Sequence, residues 1–206
     1  YCSRRQRQMC IRDRFMIVLL GLTYWGSRSY KLVIGTFLAF VFIGYFRMWD
    51  ETMSTIAIIL TSVIMSVVIG LPTGIAMSRS DRTQSIVTPI LDIMQTMPPF
   101  VYLIPIVMLM GIGKIPGLIA VVIYAIPPLI RLTNLGIREV DKEALEAADA
   151  FGATKKQKLY QVQLPLALPT IFAGINQTIM MALAMVIIAS MIGVKGLGQP
   201  VLQSIY

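Results

Sequence analysis

Long apolar runs separated by short polar breaks restrict this chain more than any other feature. They cover residues 15–25, 32–46, 53–77, 86–110, 118–130 and 165–194. In lipid every backbone N–H and C=O must find a partner inside its own segment or bundle, so an apolar run of about 20 residues spans the bilayer as a helix. The chain is 56% hydrophobic and 14% charged, with a mean hydropathy of +0.75, an apolar excess that a soluble domain of 206 residues does not need. The reading is an all-α, polytopic transmembrane helical bundle.

The charges support it. A net charge of +8 would suit a nucleic-acid binder, but the charges sit in short loops between apolar runs, so no nucleic-acid partner is expected. The stretch 133–163 carries Arg138, Lys142, Lys155, Lys156 and Lys158, which assigns it to the cytoplasm. Counting spans back from it puts 78–84 inside as well, and 48–52 and 111–117 outside. Residues 1–14 are strongly basic, lack an initiator Met and fall on the outside by this count. They read as a block foreign to the fold or disordered, and the chain as a fragment. Residues 15–47 read as peripheral transmembrane segments and 48–206 as the core. With no His, and with Cys2 and Cys10 both inside the basic block, no zinc, haem or triad chemistry is expected. A phosphate-binding G-x-x-x-x-G-K-[ST] loop is absent too, since Gly113-Lys114 is followed by Ile115.

Gly and Pro punctuate the runs. Gly70-Leu71-Pro72 is expected to interrupt the 53–77 span, with 78–82 closing it as a basic loop. Met97-Pro98-Pro99 is expected to kink the helix 91–105, and Gly111 to Gly117 to form a tight turn. The 118–130 span contains Pro127-Pro128 and is expected to end at Arg131. Polar groups within the runs gather in two segments: Asp92, Gln95 and Thr96 in one, Asn176, Gln177 and Thr178 in the other. Such groups face a partner or a polar interior because lipid cannot solvate them. Gln95, Thr96, Pro98, Phe100, Tyr102, Asn176 and Gln177 are therefore the candidate lining of a pathway, with the two segments facing across it. An interhelical hydrogen bond is the better account of Asn176 and Gln177, and a position near the headgroups accounts equally well for Asp92.

The polar island 133–163 has its own pattern. Ala144, Leu145, Ala147, Ala148 and Ala150 favour helix, and Leu145, Ala148 and Phe151 form a small apolar stripe. Glu146-Ala147-Ala148, three residues, Gly152, nine residues, then Val162-Gln163-Leu164-Pro165 resembles the EAA signature of binding-protein-dependent ABC importer permeases. The segments 91–105, 125–133 and 174–183 further resemble the permeases of glycine betaine/proline betaine importers, and the likeness runs from about 49 to 203.

That resemblance implies a type I (MetI-like) ABC importer permease fold in a bacterial or archaeal inner membrane, here truncated at the C-terminus, since family members continue with one more span. It implies a separate ATPase subunit carrying ATP-Mg, no cofactor on this chain, a second permease copy forming a homodimer, and an extracytoplasmic substrate-binding protein. Glu146, Ala147, Ala148, Gly152, Val162, Leu164 and Pro165 would form the ATPase-coupling loop, with Ala147 and Gly152 small so that the partner can approach closely. The implied substrate is glycine betaine or a related quaternary ammonium osmoprotectant, for which Phe100, Tyr102, Tyr124 and Phe172 could supply ring faces. Choline, carnitine or another amine would fit the same class of protein. A channel or membrane-embedded enzyme is the alternative of a different class, but a channel needs no docking loop and an enzyme needs clustered titratable groups.

Overall fold

The computed structural model describes residues 21, 23–24, 30–46, 48–194 and 196–205; the basic block 1–14 and most of the 15–25 run lie outside them. The described residues form helices and connections, with no strand among them. Two units are distinguished, 1–52 and 53–206. The first holds α1 (Tyr30–Tyr45), whose only buried side chain is Phe40. A helix apolar on every face and exposed on nearly all of them suits a lipid environment.

The second unit contains most of α2 (Trp49–Arg79), then α3 (Asp81–Thr96), α4 (Pro99–Met110), α5 (Lys114–Arg138), α6 (Lys142–Ala150), α7 (Lys155–Met191) and α8 (Gly198–Ile205). Three of these, α2, α5 and α7, are long and apolar enough to cross a membrane, and α3 with α4 makes a broken fourth. Several expected breaks are absent. Helix α2 continues through Gly70-Leu71-Pro72, and the 78–82 loop shrinks to Ser80, whose hydroxyl caps α3 by accepting from the Thr83 N–H at 3.3 Å. Likewise α5 continues through Pro127-Pro128 and past Arg131 to Arg138. Neighbouring helices stabilise these segments where propensity alone would end them.

Helices α5 and α7 form the centre. Ala120, Val121, Ala125 and Leu129 of α5 are fully buried, as are Ala182 and Met185 of α7. Small residues let the two backbones approach, which matters because apolar lipid tails remove the hydrophobic drive between helices and leave packing to hold them. Gly74 does the same between α2 and α5: a Cβ there would lie 2.6 Å from the Thr133 Cβ and 3.0 Å from the Ile130 carbonyl oxygen.

Polar contacts mark the two ends of the bundle. At one, Arg138 donates to the Met77 carbonyl at 3.1 Å, to Asp81 at 2.7 Å and to Asn134 at 3.2 Å, joining α2, α3 and α5. At the other, the Leu197 N–H donates to the Thr55 hydroxyl at 3.0 Å, while Gly117 packs against Val194 and Gly193 against Ile112. The broken pair bridges these ends, since α3 starts beside Arg138 and α4 finishes beside the start of α5. Legs of about 24 and 18 Å set at 93° close a distance of about 30 Å, the hydrocarbon thickness.

Loop charge leads to the expectation that the Arg138 end faces the cytoplasm. Lys156 and Lys114 are both exposed and belong to opposite ends. Cysteines introduced there are expected to react with an impermeant thiol reagent from opposite faces of sealed vesicles; labelling of both from one face would overturn the orientation.

Candidate functional site: a docking helix and a polar cavity

Helix α6 is held at its ends and bare along its length. Asp141 caps its start, accepting from the Glu143 N–H at 3.1 Å. At its finish the Gly152 N–H bonds the Asp149 carbonyl at 2.9 Å and the Ala153 N–H bonds the Ala148 carbonyl at 3.0 Å, with Gly152 at φ 73. This paired closure requires a left-handed residue, and glycine takes that conformation without a Cβ clash. A Cβ on Gly152 would meet nothing within 4 Å, so within this chain its smallness serves the backbone turn and not a close approach. Thr154 and Gln157 then form a reciprocal cap at the start of α7. An ion pair between Lys158 and Asp149 ties α6 to α7.

No side chain of α6 is buried. Glu146 and Ala147 are exposed, Leu145 and Ala148 half-buried, and Phe151 is 92% exposed. A phenylalanine left in water forgoes about 1.5–3 kcal/mol of burial, and here it sits beside small residues on a protruding hairpin. The other half of the motif lies deeper. Val162 is half-buried, Leu164 is half-buried against the cluster holding Leu159, which is 2% exposed, and Pro165 is exposed. There the helix runs one residue wide, with the Leu164 N–H bonding the Leu159 carbonyl. The wide turn lies immediately before Pro165, which has no N–H and whose ring crowds the preceding turn.

The polar residues of α3 and α5 face each other. On α3 Asp81, Gln84, Thr88, Asp92 and Gln95 recur at helical spacing along one face, and on α5 Tyr124, Pro128, Arg131, Leu135 and Arg138 do the same. The two helices run antiparallel, so Asp81 pairs with Arg138 and, three turns along α3 and two turns back along α5, Asp92 pairs with Arg131. A cavity of about 490 Å³ opens against them, lined by Gln84, Thr88, Gln95, Pro128, Arg131, Asn134 and, from α7, Gln177, with Met77, Leu132 and Leu135 as its apolar wall. Its size is that of a small-molecule site.

The 97–99 break is more than the expected kink: α3 and α4 are separate helices at 93°. Pro98 offers no N–H to the Met94 carbonyl four residues back, and the Tyr102 hydroxyl donates to that carbonyl instead. The Tyr102 ring lies edge-on to Tyr124, centroids 6.3 Å apart. Of the residues expected to line a pathway, Gln95 and Gln177 meet in the cavity. Thr96, Pro98, Phe100, Tyr102 and Asn176 fall outside its lining; Phe100 and Asn176 are exposed. Sequence reasoning misses Gln84, Thr88, Asn134 and Arg131. The last resembles a loop charge because Pro127-Pro128 suggests that the helix is ending. The available signal is the spacing of polar residues on α3, which keeps one face over its whole length.

Comparison with known proteins places the chain among relatives. Residues 66–206 match the family described as binding-protein-dependent transport system inner membrane component. The glycine betaine/proline betaine transport system permease protein ProW of Salmonella typhimurium is 52% identical over 189 residues, covering 92% of this chain and 53% of that protein. The glycine betaine/carnitine transport permease protein GbuB of Listeria monocytogenes is 51% identical over 187 residues, covering 89% of this chain and 66% of that protein. The chain thus spans about half the length of ProW. Among solved structures, an inward-facing MetNI methionine ABC transporter superposes with a TM-score of 0.69 at 25% identity, over 76% of this chain and 81% of that one.

Proposed function

The chain belongs to the family of binding-protein-dependent transport system inner membrane components, and from that premise we propose that it forms the translocation pathway of an ATP-driven importer for glycine betaine or a related quaternary ammonium solute. ATP-Mg would be bound and hydrolysed by a separate ATPase subunit, and an extracytoplasmic binding protein would deliver the solute. A second permease copy would complete the pathway as a homodimer.

The observation that carries the reading is α6. A nine-residue helix that buries none of its side chains, ends in a rigid left-handed turn and presents Phe151 bare is built for a protein partner. Glu146, Ala147, Ala148 and Gly152 lie on the docking half of the motif. Val162, Leu164 and Pro165 root it in α7, so displacement of α6 by the partner would pass directly into a membrane-crossing helix. Antiparallel α3 and α5, with Gln177 of α7, supply a polar interior of molecular size on the way. Carnitine and choline remain candidate substrates of the same machinery, carnitine being favoured by the name of GbuB.

Uptake of labelled glycine betaine by the complete transporter tests it, with expression and ATP hydrolysis measured alongside. Gln95→Ala, Gln177→Ala and Tyr102→Ala are each expected to lower uptake by roughly tenfold, the scale of one lost binding contact. The first two lose a cavity amide, and the third orphans the Met94 carbonyl at the break. Wild-type uptake in all three would remove these residues from the pathway.

A further inference from the structure

We propose that the Asp92–Arg131 pair is a zwitterion-reading site, in which a carboxylate of the solute takes its place on the Arg131 guanidinium and the solute's methylated ammonium is received by Asp92. The inference rests on the permease reading above and adds the groups that would distinguish a carboxylate-bearing quaternary amine from one without a carboxylate.

Arg131 and Asp92 lie on the facing stripes of α5 and α3, and Arg131 forms part of the cavity wall. A charged pair between membrane-crossing helices is costly to keep unless it does something that an apolar pair cannot. The second ion pair, Asp81–Arg138, already has a structural task, since Arg138 also holds the Met77 carbonyl and the Asn134 amide. Arg131 has no such set of partners. It reaches Asp92 through one terminal nitrogen, while its Nε–H is buried with no hydrogen-bond partner among the described residues. A guanidinium binds a carboxylate best through two adjacent N–H groups, and with the Nε–H buried the two terminal nitrogens form the edge that a solute can meet. Arg131 lines the cavity and Asp92, outside the lining, is its direct ion-pair partner; their side chains are 39% and 54% exposed, so a small solute that displaces the pair can meet both charges.

The neighbours fit the rest of the solute. Pro128 and Leu132 give the cavity apolar contacts for methyl groups, and Gln95 and Gln177 offer amides without net charge. The Tyr102–Tyr124 ring pair stands two turns from Arg131 on the same face of α5, towards the end away from Arg138. A methylated cation arriving from that side meets ring faces before it meets Asp92. Since opposite charges are exchanged in kind, no net charge enters the bundle, and the two helices lose their mutual ion pair only while solute occupies it.

The complete transporter, with its ATPase and binding protein in proteoliposomes, provides the test. Glycine betaine is the probe, and uptake and binding-protein-stimulated ATP hydrolysis are both measured. Arg131→Gln and Asp92→Asn are each expected to lower uptake at least about tenfold while hydrolysis stays within roughly two-fold. Arg131→Lys, which keeps the charge but loses the planar edge, should raise KM more than it lowers the maximal rate. The reversed pair, Asp92→Arg with Arg131→Asp, restores a strut but inverts the charges relative to the rings, and should remain defective. Recovery of uptake in the reversed pair would show that the contact only braces the fold and would overturn the proposal. So would wild-type uptake in both single variants. If the unaltered transporter takes up no carboxylate-bearing quaternary amine, the substrate reading falls and this site with it. If it does so and the substitutions have no effect, only the site falls.

Discussion

A Gly152→Trp variant is expected to insert and fold but to lose most uptake while still hydrolysing ATP. Gly152 holds φ 73 in the closure of α6, where an L-residue with a side chain costs about 1–2 kcal/mol. Nothing within 4 Å of its Cβ position belongs to this chain, so a side chain there disturbs no packing inside the permease. The whole effect therefore falls on the docking hairpin: the turn strains, the 92%-exposed Phe151 is re-aimed, and an indole projects where the ATPase would sit. Gly152→Asn separates the two causes, because asparagine tolerates the left-handed conformation and is smaller than Trp. It should retain much of the uptake. Measuring uptake and ATP hydrolysis together in proteoliposomes decides the matter, and normal uptake in the Trp variant would sink the coupling assignment for this hairpin.

A large stability loss is expected at Gly74. A single methyl group there would lie 2.6 Å from the Thr133 Cβ, 2.8 Å from its Cγ2 and 3.0 Å from the Ile130 carbonyl oxygen. The last is backbone and cannot turn aside, so α2 and α5 must separate. Overpacking of this kind costs about 1–3 kcal/mol, against which alanine recovers up to about 1 kcal/mol of helix propensity. Gly74→Ala should thus lower the unfolding midpoint in detergent by about 2–8 °C for a domain of this size, and Gly74→Val by more. Thr133→Gly in the Gly74→Ala background should restore more of the loss than Thr133→Ala, because Thr133→Ala leaves the offending Cβ in place. Gly35→Ala in α1, where a Cβ meets nothing within 4 Å, is the control and should not lower the midpoint. An unchanged midpoint for Gly74→Ala would mean that the α2–α5 crossing is looser than these distances require.

Both positions show how far a local pattern reaches. Gly152 is legible as a member of a spaced motif, and the helix before it from Ala-rich propensity; such signals are local and survive without tertiary context. That it breaks the helix is legible too, but not whether the position needs small size or left-handed freedom, because the same residue satisfies both. Gly70 and Pro72 suggest a break that does not occur, for a related reason. Glycine and proline weaken an isolated helix, but in a bundle the glycine face is where a neighbour sits, and packing outweighs the intrinsic penalty. Pro127 and Pro128 mislead in the same way, and with them the place of Arg131.

The apolar runs, the loop charges and the docking motif are determined by the sequence alone, because hydropathy over about 20 residues, charge asymmetry and fixed spacing need no knowledge of neighbours. They are enough for an all-α membrane protein of this family and for the proposal of a coupling loop at 133–163. Only the tertiary structure decides which polar residues meet. Asp92 and Arg131 are 39 residues apart in the chain and become partners because α3 and α5 run antiparallel beside each other. The packing of α3 and α5 together with α7 gathers Gln84, Thr88, Gln95 and Gln177 around a single cavity. Long-range pairing depends on where helices start, bend and cross, and those are set by packing at Gly74, at the α5–α7 interface and at the 93° break after Thr96.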